Sequence, residues 1–122
     1  PFMESVINEG EFSLFYFNGV LSHTILKTPK DNDFRVQEEH GGRLTSIEPE
    51  QELINQANKT INAIGVHLQT PLYARVDFVR DGDTFALMEA ELIEPSLYFN
   101  MDEDSPKRFA NAFAERMKSI MP

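Results

Sequence analysis

Two glutamates separated by one residue, Glu89 and Glu91, end an apolar run and are the residues best placed to do chemistry. In a β-strand, residues i and i+2 point to the same face, so both carboxylates project together, about 6–7 Å apart at Cα. Two anions this close repel each other unless a cation lies between them. Composition alone favours a solvent-exposed strand edge. Against that interpretation, the apolar Phe85 and Leu87 share the same face, so a cation site remains the alternative.

Asp77 is the obvious third oxygen ligand, and the register of the hairpin decides whether it reaches the glutamates. A two-residue Asp81-Gly82 loop would turn Asp77 to the face opposite Glu89. A three-residue loop over residues 81–83 pairs Arg75 with Glu89 and brings the charges to one face, so the cation hypothesis predicts an odd-length loop. Oxygen ligands with no His or Cys nearby suit Mg²⁺ better than zinc.

Arg75 lies beside this acidic cluster, and two roles are open for it. It is either the counter-ion of Glu89 or a guanidinium aimed at a phosphate or carboxylate oxygen, for which its fork geometry is suited.

A second polar cluster surrounds Gly41-Gly42, in a segment that we predict to be a flexible loop over residues 38–46. Such a segment is a surface loop more often than a lid over phosphates.

Two predicted hairpins position these groups. Asn18-Gly19 joins two β-rich runs, 11–17 and 20–27, and both residues tolerate the positive φ that a type I′ turn requires. The second hairpin carries Arg75, Asp77 and the glutamate pair. The first strand has apolar residues on both faces, so we expect the sheet to be covered on both sides: Phe12, Leu14 and Tyr16 on one face, Phe15 and Phe17 on the other.

Two helices are predicted as well. Apolar residues repeat at helical spacing over 49–64, and Gly65 suits the position that ends the helix. The last helix is predicted to follow a Ser105 cap, with Pro106 at its first position.

With a short strand candidate at residues 34–37, the predicted order is β-β-β-α-β-β-α. The sequence therefore predicts a single α+β domain over residues 1–122, with a mostly antiparallel sheet and two main helices.

Composition limits the possible functions. The chain has 122 residues and no cysteine, which excludes a disulfide scaffold and thiolate chemistry. A net charge of −9 argues against nucleic acid and anionic membranes as partners. Without an apolar run long enough to span a membrane, we expect a soluble cytoplasmic protein. The first residue is Pro1 and not Met, so we expect a fragment of a longer chain.

Several segments together resemble the carboxyl-terminal half of an ATP-grasp ligase, nearest the glutathione-synthetase-like and RimK-like enzymes. They are PFM-E, EGEFSLFYFNG, DFRVQEEHGG, ARVDFV and LMEAELIEPSLYF, and they cover nearly the whole chain. The strongest element is R-x-D followed by E-x-E across a hairpin. The segments SLFYFNG and ELIEPSLYF resemble those of a bacterial subgroup of ATP-grasp proteins that are uncharacterised or act in antibiotic biosynthesis.

The resemblance implies a role for each matching residue. Pro1, Phe2 and Met3 match the hinge that meets the adenine of ATP, and Glu11 matches the acidic residue that holds the ribose hydroxyls. Arg35 and Gly41-Gly42 resemble the loop that closes over the phosphates. Asp77, Glu89 and Glu91 resemble the Mg²⁺ ligands, and Arg75 the residue that stabilises the acyl-phosphate transition state. The family more often has Asn where Glu91 stands.

The implied cofactors are ATP and Mg²⁺, and the implied partners are a small-molecule carboxylate and an amine-type substrate. ATP would phosphorylate the carboxylate, and the amine would attack the acyl phosphate. The upstream lobe that holds the ATP phosphates is absent from the 122 residues, so we expect this fragment alone to be inactive. The alternative function is a non-catalytic acidic α+β module that binds a partner or a divalent ion.

Overall fold

The computed structural model describes residues 9–29, 43–67, 69–92 and 101–120. In chain order its elements are β1 (Glu11–Phe17), β2 (Val20–Thr28), β3 (Arg43–Ile47), α1 (Gln51–His67), β4 (Tyr73–Asp81), β5 (Thr84–Glu91) and α2 (Ser105–Ile120). The strands form one sheet in the order β3-β2-β1-β4-β5, and every pairing is antiparallel. This confirms the predicted α+β class with two main helices.

The first hairpin is confirmed, turn included. Asn18 has φ 53° and Gly19 has φ 83°, so both central residues have the positive φ that the Asn-Gly pair predicts. β1 lies at the centre of the sheet between β2 and β4, and six of its seven residues are buried. Both faces of this strand are therefore covered, as its two-sided apolar pattern predicts.

The core lies between one face of the sheet and α1. Leu53, Ala57 and Ile61, one helical turn apart, pack on that face. The strand residues of this core are Phe12, Leu14, Tyr16, Ala74, Val76, Phe78 and Phe85. The opposite face carries Phe15, whose ring stacks on that of His23 at 4.5 Å between centroids. α2 packs at the hairpin end of the opposite face, where Phe109 meets Phe17 edge-on at 5.2 Å.

The third strand is not where the sequence predicts it. The candidate at residues 34–37 lies outside the described residues, whereas β3 forms over 43–47 and so begins within the predicted loop 38–46. β3 pairs with β2 at the sheet edge and is mostly exposed. Because an exposed edge strand needs no apolar face, RLTSI carries no alternation that would predict it.

Both predicted helix boundaries also need correction. α1 continues through Gly65 to His67, and Gly65 has no positive φ, so it does not end the helix. At α2 the helix begins with Ser105 itself, so the residue at the capping position is Asp104, whose carbonyl accepts the N–H of Arg108, and not Ser105. Pro106 is then the second helical residue and not the first; Ser105 precedes it. The Ser105 hydroxyl donates to the carbonyl of Asp102 at 2.7 Å, while Asp102 Oδ1 accepts the N–H of Asp104 at 3.0 Å. No helix within the described ranges has both the length and the apolarity needed to cross a membrane.

Candidate active site

A bulge in β5 brings the predicted acidic cluster to one face of the sheet. The turn of the second hairpin has two residues, Gly82 and Asp83, so the predicted odd-length loop is wrong. The pairing shifts between Phe78, opposite Leu87, and Asp77, opposite Glu89, which leaves one extra residue, Met88, in β5.

Without that shift, Asp77 would face away from both glutamates, because one step of register reverses the face. The observed pairs are Asp77 with Glu89 and Arg75 with Glu91. The convergence that the cation hypothesis required is therefore present, although a bulge and not the loop length produces it.

One nitrogen of Arg75 lies at the centre of the cluster. Its Nη2 is 3.0 Å from Asp77 Oδ2, 3.4 Å from Glu89 Oε2 and 3.2 Å from Glu91 Oε2. Burial opposes the charge on Arg75, but the carboxylates of Asp77, Glu91 and Glu89 outweigh it and raise the pKa of the guanidinium. The side chain thus serves as the cation on which the three carboxylates converge.

The three carboxylates differ in their contact with solvent. The side chain of Asp77 is 2% exposed, that of Glu91 36% and that of Glu89 55%. The solvent-exposed interpretation of the glutamate pair is therefore correct for Glu89, whereas Glu91 is half-buried. It does not describe their partners, because both carboxylates still reach the buried arginine from the edge strand.

Arg75 has a further hydrogen-bonding group to offer. Its Nε–H is buried and has no hydrogen-bond partner among the described residues. Leaving a buried donor unpaired costs roughly 1–3 kcal/mol, so such a group calls for an explanation. Arg75 therefore still has a hydrogen-bond donor, its Nε–H, that is available to a ligand.

Glu11 lies at the edge of the same face. It stands opposite Lys27 on β2, two residues before Ser13, which pairs with Asp77. Burial, with the negative charge of Asp77 adding to it, raises the pKa of Glu11 to about 7, although Lys27 partly offsets the effect. Glu11 is thus close enough to the cluster to respond to its charge.

The chemistry of the donor set fits a hard divalent cation, but the side chains are arranged for a guanidinium. Three carboxylates are the ligand type that Mg²⁺ prefers, at Mg–O distances of about 2.0–2.1 Å. Among the residues that the structure describes, no group of His, Cys, Asp and Glu is arranged to hold a metal ion. Oxygens spaced 3.0–3.4 Å from Nη2 would have to move inward, with Arg75 moving out, for a metal to bind.

Six predicted site residues cannot be placed. They are Pro1, Phe2, Met3, Arg35, Gly41 and Gly42, and all lie outside the described residues. Two residues of the site face were missed in the sequence, Ser13 and Lys27, both buried. A small polar residue within the apolar run EFSLFYF was the available signal for Ser13, but its partner is 64 residues away and only the register connects them.

Comparison with known proteins shows clear similarity to a cycloserine biosynthesis protein. No protein-family model matches the chain. The cycloserine biosynthesis protein DcsG of Streptomyces lavendulae is 36% identical over 123 residues, which cover 97% of this chain and 41% of DcsG. The crystal structure of D-cycloserine synthetase DcsG matches with a TM-score of 0.80 and 34% identity, over 95% of this chain and 41% of that one.

Two more distant structures share the fold. The D-alanine–D-alanine ligase of Bacillus anthracis, complexed with ATP, matches with a TM-score of 0.59 at 20% identity, over 86% of this chain and 36% of the ligase. The ATP-grasp ligase PsnB, complexed with Mg and ADP, matches with a TM-score of 0.58 at 14% identity, over 85% of this chain and 32% of PsnB. The chain thus spans about two fifths of the length of DcsG. These comparisons confirm the resemblance of the sequence to ATP-grasp ligases, over the part of those proteins that the chain spans.

Proposed function

We propose that this chain is the part of an ATP-dependent ligase that binds the Mg²⁺-associated phosphates of ATP. The observation that carries the proposal is the convergence of Asp77, Glu89 and Glu91 on a single nitrogen of Arg75. In this proposal the three carboxylates would hold the metal ion, and Arg75 would donate hydrogen bonds to the transferring phosphoryl group. Mg²⁺, when bound, would supply positive charge that offsets the negative charge of the ATP phosphates.

The proposed reaction has two steps. A carboxylate oxygen of one substrate attacks the terminal phosphorus of ATP, ADP leaves, and an acyl phosphate forms. The amine of the second substrate then attacks the acyl carbon, and inorganic phosphate leaves. Arg75 supports the first step because its unpaired Nε–H and its Nη groups can donate together to phosphoryl oxygens as charge develops there.

Other roles in the proposal rest on the family resemblance. Glu11 would accept hydrogen bonds from the ribose hydroxyls, and its place beside the acidic cluster supports this role. Pro1, Phe2 and Met3 would meet the adenine, while Arg35 and Gly41-Gly42 would close over the phosphates and exclude water from the acyl phosphate.

The names of the relatives suggest the size of the substrates. DcsG is a D-cycloserine synthetase, and the Bacillus anthracis enzyme is a D-alanine–D-alanine ligase. We therefore infer that the carboxylate and the amine-type nucleophile are small molecules of amino-acid size.

Binding of Mg²⁺·ATP to the full-length protein tests this function. Glu89→Gln removes one charge from the cluster with almost no change in shape, and we expect the dissociation constant, measured by calorimetry, to rise at least about tenfold. Glu103→Gln makes the same change at an exposed residue before α2 and should leave binding unchanged. Equal affinity for the wild type and Glu89→Gln would contradict the proposal and leave the acidic binding module as the better interpretation.

A further inference from the structure

Ser13 places a fully buried hydroxyl next to the acidic cluster. It lies in the central strand β1, directly opposite Asp77 of β4, and is 0% exposed. Its Oγ–H donates a hydrogen bond to Asp77 Oδ1 at 2.7 Å. A carboxylate can only accept, so the direction of this bond is fixed.

The two oxygens of Asp77 therefore have partners of different kinds. Oδ1 is held by a short neutral side chain on a central strand, which cannot withdraw without disturbing the sheet. Oδ2 accepts a charged hydrogen bond from Arg75 Nη2 at 3.0 Å. Arg75 has a long side chain with several rotatable bonds, so its contact is the one that a competing cation can replace.

We infer that Ser13 is a positioning residue, which holds Asp77 Oδ1 so that Oδ2 stays directed at the point where the three carboxylates converge. This inference rests on the proposed function, because it concerns the same cation site. Ser13 itself does not touch the cation. Residues that hydrogen-bond to metal ligands fix the orientation of those ligands, and their loss typically lowers metal affinity 10- to 100-fold.

The position of Ser13 in β1 supports a specific role. Its neighbours on either side in the strand, Phe12 and Leu14, belong to the core on the other face. A hydroxyl buried in such a strand is unfavourable unless it is hydrogen-bonded, and the bond that it makes is to Asp77. With alanine at this position, Asp77 Oδ1 would lose this donor, and the carboxylate would be free to rotate.

The test is the affinity of the full-length protein for Mn²⁺ in the presence of ADP, read from the electron paramagnetic resonance signal of free Mn²⁺. Mn²⁺ takes the same oxygen ligands as Mg²⁺. We expect Ser13→Ala to raise the Mn²⁺ dissociation constant 10- to 100-fold.

Ser105→Ala is the matched control for Ser13→Ala. Ser105 is equally buried, and its hydroxyl also donates at 2.7 Å, but to the carbonyl of Asp102, outside the site. The Ser105→Ala protein should bind Mn²⁺ with the affinity of the wild type, even if its thermal stability falls as much as that of Ser13→Ala. A folded Ser13→Ala protein that binds Mn²⁺ as tightly as the wild type would overturn the inference.

Two further variants keep the outcome unambiguous. Ser13→Cys nearly preserves the volume but donates only weakly, so it should also bind Mn²⁺ less tightly, and wild-type affinity in this variant would likewise overturn the inference if Ser13→Ala does not fold. Asp77→Asn separates the two proposals. If Asp77→Asn weakens Mn²⁺ binding and the Ser13 variants do not, the positioning role fails alone; if Asp77→Asn has no effect, the proposed cation site itself fails.

Discussion

Two arginines of the same strand, Arg75 and Arg80, each gather carboxylates, yet their hydrogen bonding differs. Arg80 donates from Nε and Nη2 to Glu9 and from Nη1 and Nη2 to Glu50, and it lies over the ring of Phe85 at 4.8 Å. Its partners come from segments just before β1 and α1. Arg80 is thus a structural clamp between parts of the chain that are far apart in sequence.

Arg75 is the opposite case. Its contacts to Asp77, Glu89 and Glu91 all use Nη2, and its buried Nε–H has no partner in the part of the chain that the structure describes. All three carboxylates belong to its own hairpin, so these ion pairs join strands that the β4–β5 pairing already joins. The two arginines thus have similar numbers of ion pairs, and what separates them is the buried donor of Arg75 and the position of its partners on one face; we propose that this difference marks Arg75 as the functional one.

The largest effect should come from replacing Arg75. In the full-length protein, Arg75→Met should lower kcat for ADP formation about 10²- to 10³-fold, because it removes charge stabilisation at the phosphoryl group. Lys118→Met, which removes an exposed positive charge from the last turn of α2, is the control and should keep its activity. Wild-type turnover in Arg75→Met would make Arg75 a structural residue like Arg80.

Replacing Arg80 should have the complementary effect. Arg80→Met should lower the free energy of unfolding by about 1–2 kcal/mol, since it removes the partly exposed ion pairs and the contact with Phe85. Urea denaturation measures this loss, and kcat of the folded variant should stay within about twofold of wild type. A variant with wild-type stability and impaired turnover would reverse the assignment of the two arginines.

The charge of the Arg75 cluster should be visible in the titration of Glu11. An NMR titration should give a pKa of about 7 for Glu11, and Asp77→Asn should lower it because the charge of Asp77 helps to raise it. Asp83→Asn, at the turn of the same hairpin, should leave the value unchanged.

The same pKa predicts how stability depends on pH. Because the folded-state pKa lies above the usual 4.5, the folded protein holds the proton more tightly. The contribution of Glu11 to the free energy of unfolding therefore falls as the pH rises from about 4.5 to 7 and is constant above that. Glu11→Gln should remove this fall, and an unchanged pH profile would contradict the assignment.

The smallest effect is expected at Thr24, whose Oγ1 is also buried without a described partner. Thr24 pairs with Leu14 of the core, and no carboxylate among the described residues forms a hydrogen bond with its Oγ1. Thr24→Val should therefore leave turnover unchanged and leave the free energy of unfolding equal or up to about 1 kcal/mol higher, as measured in urea. Impaired turnover would show that an unpaired buried group marks function even away from the cluster.

Local signals in the sequence correctly predicted the elements whose formation depends on nearby residues. Asn18-Gly19 predicted its turn because few residue pairs accept two positive φ angles. The spacing of Leu53, Ala57 and Ile61 predicted the buried face of α1. The polar strand β3 and the helix end beyond Gly65 were missed, because pairing with β2 and the remaining helical bonds outweigh weak local preferences.

By itself the sequence determined which residues carry the charge: Arg75, Asp77, Glu89 and Glu91 follow from residue type and strand spacing. Only the tertiary structure decided how they meet. The shift at Met88 sets the face of Asp77, and the β1–β4 register brings Ser13 to it across 64 residues. Register and bulges depend on packing both faces of the sheet at once, and no short window of sequence contains that information.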